Sequence, residues 1–200
     1  MPTSSRLINY RLRPAKSIER KMLCEAFRKL SVFGSTETFR YLGFGSFYFV
    51  DFEMMHKNLG ITNMISIEKD VQNIERYEFN KPYKSIRIMQ GESSQVLLGI
   101  PWDMRTIVWL DYDGKLDQSV MQDIETFCTR AHPASVLIVS VNAQAEDFDP
   151  EKTSQEMGDS RLAQLKERLG EEKVPARIKK TDLNGWGMAR VCRDIRVAAQ

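Results

Sequence analysis

Tyr41-Leu42-Gly43-Phe44-Gly45-Ser46-Phe47 runs from a strand-like approach into a Gly-x-Gly turn, and one helix length later comes Ile65-Ser66-Ile67-Glu68. Paired glycines let a backbone turn sharply and come close to a ligand, and an acid at the tip of the next strand accepts both hydroxyls of a ribose. Together they predict a nucleoside-cofactor pocket. A lone Gly-x-Gly serves ordinary turns more often than cofactors, and an isolated Glu68 reads as a surface acid. Their order and spacing carry the reading.

Outward from this stretch the chain alternates. Strands are expected over residues 39–42, 64–68, 86–89, 106–110 and 135–141, and helices over 47–59, 71–79, 93–98 and 118–131. The run Ile107-Val108-Trp109-Leu110 is apolar throughout, as burial on both sheet faces requires. The fold class expected is α/β, a three-layer, Rossmann-like, doubly wound and mostly parallel sheet with helices on both sides. Before it, residues 1–33 read as a basic arm and an amphipathic helix (18–31) capped by Ser17, with Ile18, Met22, Leu23, Phe27 and Leu30 inward and the basic side in water. Residues 34–200 read as the α/β domain.

Beyond Asn142 the pattern weakens. Residues 144–159 are acidic and contain Pro150, which reads as a loop; 161–169 reads as a helix, 174–179 as a strand and 187–199 as a helix. The last helix reaches Gln200 without a stop signal, as expected of a piece of a longer chain or of a sheet edge completed by a partner or a second copy.

With 200 residues, 42% hydrophobic and 28% charged, the chain is long enough for a full core. Its net charge of +2 excludes a general polyanion trap. Arginines and lysines crowd both ends, where nucleic-acid contact is the sharper reading and solvated helix faces the commoner one. Cys24, Cys128 and Cys192 lack Cys-x-x-Cys spacing, which argues against a disulfide scaffold or zinc site and for a reducing, cytoplasmic setting. No apolar run approaches the roughly 20 residues of a membrane span. Neither His56 nor His132 has a nucleophile or acid beside it in sequence, so hydrolase triads are unsupported.

Gly43-x-Gly45, Glu68, Gln90-Gly91-Glu92-Ser93 and Asp111-Tyr112-Asp113, each following a predicted strand, resemble the successive motifs of class I S-adenosylmethionine-dependent methyltransferases over residues 38–142. Within that superfamily the likeness is to small-molecule O-methyltransferases. The resemblance implies that Gly43, Gly45 and Ser46 pass beside the methionine part of the cofactor. It further implies that Glu68 binds the ribose, that Gly91, Glu92 and Ser93 lie near the adenine, and that Asp111 lines the sulfonium and the substrate mouth. Tyr112, Asp113 and Asn142 would meet the acceptor. Lys115 would act as general base if desolvated, an exposed lysine being the default. Asp113 could offer oxygen to magnesium or calcium, although acids flanking a turn are more often solvated, and no metal is assigned. Tyr41 stands where the family places an acid that accepts from the methionine amine, and Phe47 where it often has a small residue.

Two rivals remain. A dinucleotide oxidoreductase shares the glycines and the acid but wants a third glycine where Tyr48 stands. A methyltransferase-like domain that has lost catalysis would act as a binding or regulatory module.

Overall fold

The computed structural model describes residues 14–145, 151 and 153–198, with side chains to Ile195. The basic lead-in before Pro14, residues 146–150 and 152 of the acidic stretch, and residues 199–200, where the terminal helix was expected to end, lie outside the described residues. The chain divides into two compact units, one comprising residues through Asp111 with Arg130–Ser140, the other Tyr112–Thr129 with residues from Val141 on.

The first unit holds the sheet: β1 (Arg40–Gly43), β2 (Asn63–Glu68), β3 (Ile86–Gln90), β4 (Thr106–Asp111) and β5 (Val136–Ser140), in the order β3-β2-β1-β4-β5. All four ladders are parallel, so the expected α/β sheet is present, and the described residues add no antiparallel strand. The order reverses between β1 and β4, the place where open parallel sheets open a crevice beyond their carboxyl ends. Register aligns Tyr41 with Met64 and Ile107, and Gly43 with Ser66 and Trp109. Side chains alternate along a strand, so Gly43, Ser66, Glu68, Trp109 and Asp111 share one face at its carboxyl edge.

That face is covered by aromatic and aliphatic side chains. Phe27 from α1 (Pro14–Arg28), Phe52 and Met55 from α2 (Val50–Leu59), and Tyr77 from α3 (Ile74–Asn80) join Tyr41, Met64, Ile107 and Trp109 in one cluster. Leu42, Ile65, Val108 and Leu110, on the opposite face, are also buried, which is why these strands read as unbroken apolar runs. The crossover after β3 is the short α4 (Ser93–Gly99).

Three expectations are corrected. α1 begins at Pro14, whose missing N–H suits a first turn, and not after Ser17; it buries Arg20, Cys24 and Phe27 while Ile18 and Met22 face solvent. Arg20 is turned inward by an ion pair that spacing cannot reveal. α2 begins at Val50 because Phe49, with φ 48, sits in the left-handed region, its N–H bonded to Gly45 O at 2.9 Å. Residues 174–179 form no strand: Pro175 lacks a ladder donor, and Ile178 N turns back to Pro175 O at 3.0 Å.

The second unit contains α5 (Gln118–Arg130), α6 (Ser154–Leu169) and α7 (Trp186–Ala198), α5 ending at the unit boundary. Its buried residues include Val120, Met121 and Ile124, Leu165 and Leu169, and Met188, Val191 and Ile195. The loop expected through Asp159 gives way to helix at Ser154, because Thr153 and Glu156 form a capping box. Glu156 N donates to Thr153 Oγ1 at 3.3 Å, and Thr153 N to Glu156 Oε2 at 2.8 Å. Thr153→Ala should cost about 1 kcal/mol in urea unfolding. An unchanged midpoint would show that this box is not formed in solution.

Candidate functional site

The turn after β1 is built on two left-handed residues, Ser46 (φ 52) and Phe49 (φ 48), neither a glycine. Such conformations cost on the order of 1–3 kcal/mol each and persist where packing over-determines them. Here the packing is visible. A Cβ on Gly45 would lie 2.4 Å from Ser66 Oγ and 2.5 Å from the Phe49 ring; one on Gly43 would lie 2.8 Å from both Trp109 O and Tyr41 Oη. Both glycines are therefore required by the protein's own side chains. Phe47 does not crowd the turn: it stacks on Tyr77 at 4.7 Å under the Arg76 guanidinium, 4.2 Å from its ring centre.

Glu68 closes the turn from β2. Its Oε1 accepts from Gly45 N at 3.0 Å and from Ser66 Oγ at 2.6 Å, and Tyr77 donates to the same carboxyl. The side chain is almost wholly buried. Burial raises its pKa from 4.5 to about 7, against the lowering effect of those three hydrogen bonds. Glu68 is thus a buried acid poised near neutrality, one bond from the glycine turn.

Across the point where strand order reverses, α1 brings two cations to two acids. Lys16 Nζ lies 3.0 Å and 2.9 Å from the two oxygens of Asp111, 3.1 Å from Glu19, and 5.8 Å from the centre of the Trp109 ring. Arg20 Nε lies 2.5 Å from Asp51 Oδ1 in the first turn of α2. Burial alone would lower the Lys16 pKa, but its bonds to Asp111 and Glu19 carry it above the usual lysine value. Burial likewise lifts Asp51, opposed by Arg20. Tyr41, beside these pairs in their electrostatic field, is fully buried with its phenol pushed well above the usual range.

The remaining motif residues of the first unit cluster at the end of β3. Gly91 has φ 132 and donates its N–H to Glu68 O at 3.1 Å; Glu92 forms a 2.6 Å ion pair with Lys69 and starts α4, of which Ser93 is the first residue. In the second unit Asn142 N donates to Gly114 O at 2.8 Å, which sets Asn142 against the 112–115 turn holding Tyr112, Asp113 and Lys115. Tyr112 donates its hydroxyl to Asp123, and Asn142 Oδ1 accepts from Gln144 N at 2.9 Å. Among the described residues no group of three or more His, Cys, Asp or Glu side chains is placed to hold a metal ion.

Residues 8–199, nearly the whole chain, match a family model described as "Putative O-methyltransferase". The chain belongs to this O-methyltransferase family. Among curated proteins and solved structures, none matches it. The family match spans both units and includes α1.

Sequence reasoning found the glycines and Glu68 of this O-methyltransferase-family chain but missed Lys16, Arg20, Asp51 and Phe49. Lys16 and Arg20 counted there only among the basic residues crowding the start of the chain. The spacing of Lys16 and Arg20, four positions apart, was a usable signal, since it puts both on one helical face. Trp102 precedes β4 at its amino end and donates Nε1 to Leu97 O at 3.0 Å.

Proposed function

We propose that the chain is an S-adenosylmethionine-dependent methyltransferase that delivers methyl to an oxygen of a small-molecule acceptor. The observation that carries this reading is Glu68: a buried carboxyl at the carboxyl end of β2, bonded to Gly45 N beside the point of strand-order reversal. The residues present fit the donor in kind. Glu68 offers the acceptor atoms a ribose diol needs, Glu92 and Ser93 flank the place expected for an adenine, and ion pairs of both signs stand at the end of β4.

The bound donor would supply an electrophilic methyl on sulfonium for in-line transfer. The chain's own part is positioning: Glu68 exchanges its bond to Gly45 for the ribose hydroxyls, and Asp111 stabilises positive charge next to the acceptor approach. In this reading Tyr112, Asp113 and Asn142 contact the acceptor, and Lys115, if desolvated, takes its proton when the acceptor oxygen still holds one. No helix among the described residues is long and apolar enough to cross a membrane. The sequence pattern of Cys24, Cys128 and Cys192, without Cys-x-x-Cys spacing, supports a cytoplasmic setting.

Calorimetry with S-adenosylhomocysteine and with NAD tests the reading. S-adenosylhomocysteine is expected to bind about tenfold or more tightly than NAD. Absence of S-adenosylhomocysteine binding overturns it.

A further inference from the structure

α1 buries Phe27 and Cys24, and beside them Lys16 and Arg20 of α1 form ion pairs with Asp111 and Asp51. They alternate in sign, they are held at the carboxyl ends of β1 and β4, and they are only partly covered: side-chain exposure is 20% for Lys16 and 30% for Asp111, against 8% for Arg20 and 17% for Asp51. The outer pair is the more exposed of the two, and its Lys16 also holds Glu19 at 3.1 Å. The inner pair backs it.

A partly desolvated ion pair resists ligands of a single sign, because binding one partner strips the other of its counter-charge. A zwitterion reduces this penalty: its carboxylate takes the lysine, which keeps Glu19 beside it, while its ammonium takes the aspartate. The neighbouring Tyr41 cannot serve, being buried and protonated far above neutral pH. Tyr41 is also the position where the resembled family carries the acid for the donor's amine.

We infer that Lys16 and Asp111, backed by Arg20 and Asp51, form a clamp for an α-amino-acid head group, and that this clamp holds the amino-acid end of the methyl donor in place of the acid that Tyr41 replaces. The inference rests on the donor reading above. It makes the N-terminal helix a donor-binding element, with the Lys16 carboxylate contact and the Asp111 ammonium contact formed together or not at all.

S-adenosylhomocysteine and 5′-methylthioadenosine share the thioadenosine portion, but only the first carries the amino-acid end, so their affinity ratio reads the clamp directly. Calorimetry on the full chain is expected to give a ratio of about tenfold or more in the wild type. In Lys16→Met/Asp111→Asn the ratio should fall to about twofold or less, with 5′-methylthioadenosine affinity unchanged. Lys16→Gln alone, at a partly exposed position, should lower the ratio in the same direction and covers the case in which the double variant does not fold. A ratio preserved in both variants, or an equal weakening of both ligands, overturns the clamp and makes the pairs a structural latch while leaving the donor reading standing. If the wild type binds neither ligand, both readings fall.

Discussion

Glu68→Gln is expected to stabilise the folded chain at pH 8.5 by up to about 3 kcal/mol while weakening S-adenosylhomocysteine binding by roughly tenfold. The wild-type carboxyl has a pKa of about 7 when folded, against 4.5 ordinarily, because burial disfavours its charge. Between those values the folded state binds the extra proton, so stability falls as pH rises through this window and is lowest above pH 7. At about 1.4 kcal/mol for each pH unit, the shift corresponds to about 3 kcal/mol. Glutamine keeps an oxygen for Gly45 N–H and Ser66 Oγ without a charge to bury. Its stability should therefore lack this pH slope. Urea unfolding at pH 5.5, 7 and 8.5 on both proteins measures it; a wild type that gains stability with pH across this window contradicts the assignment.

Under the proposed function, the same residue couples proton to donor. Ribose hydroxyls donate to a carboxylate far better than to a carboxylic acid, so wild-type affinity should rise with pH up to about 7 and level off. The variant's affinity should be flat. An acid kept in a costly environment, with two left-handed residues beside it, is the usual signature of a site in which binding is favoured over stability.

Gly45→Ala is expected to destabilise the chain by about 3 kcal/mol, at the upper end of the cost of overpacking a core. The new Cβ meets Ser66 Oγ at 2.4 Å and the Phe49 ring at 2.5 Å. Neither neighbour has room to yield: Ser66 lies on a central strand with its hydroxyl on Glu68, and Phe49 is wholly buried against Phe52 at 5.6 Å. Gly114→Ala is the control, since nothing lies within 4 Å of a Cβ there, and it should shift the urea midpoint little. Equal effects at the two positions would show that the turn after β1 is not packed as described.

Much of the fold was legible because its signals are local. Unbroken apolar runs such as Ile107 to Leu110 mark strands buried on both faces, and Gly60, with φ 70, ends α2 where a left-handed residue is required. The capping box at Thr153 and Glu156 was equally local, but the acidity around it and Pro150 were read as loop. The segment 174–179 carried strand-like composition without a partner to pair with, and composition cannot report a missing partner.

Local chemistry along the chain was thus enough for the strand-helix rhythm, the glycine turn and the acid that follows it, because each depends on neighbours within a few residues. The placement of Lys16 on Asp111 across 95 positions, the inward turn of Arg20 and the Phe49 ring against Gly45 came from packing alone. Periodicity assigns a face by hydrophobicity, and it put Ile18 and Met22 inside and Arg20 in water. The opposing charge of Asp51, from a different helix, reverses that order, since a buried cation is tolerated only where the fold delivers its counter-ion.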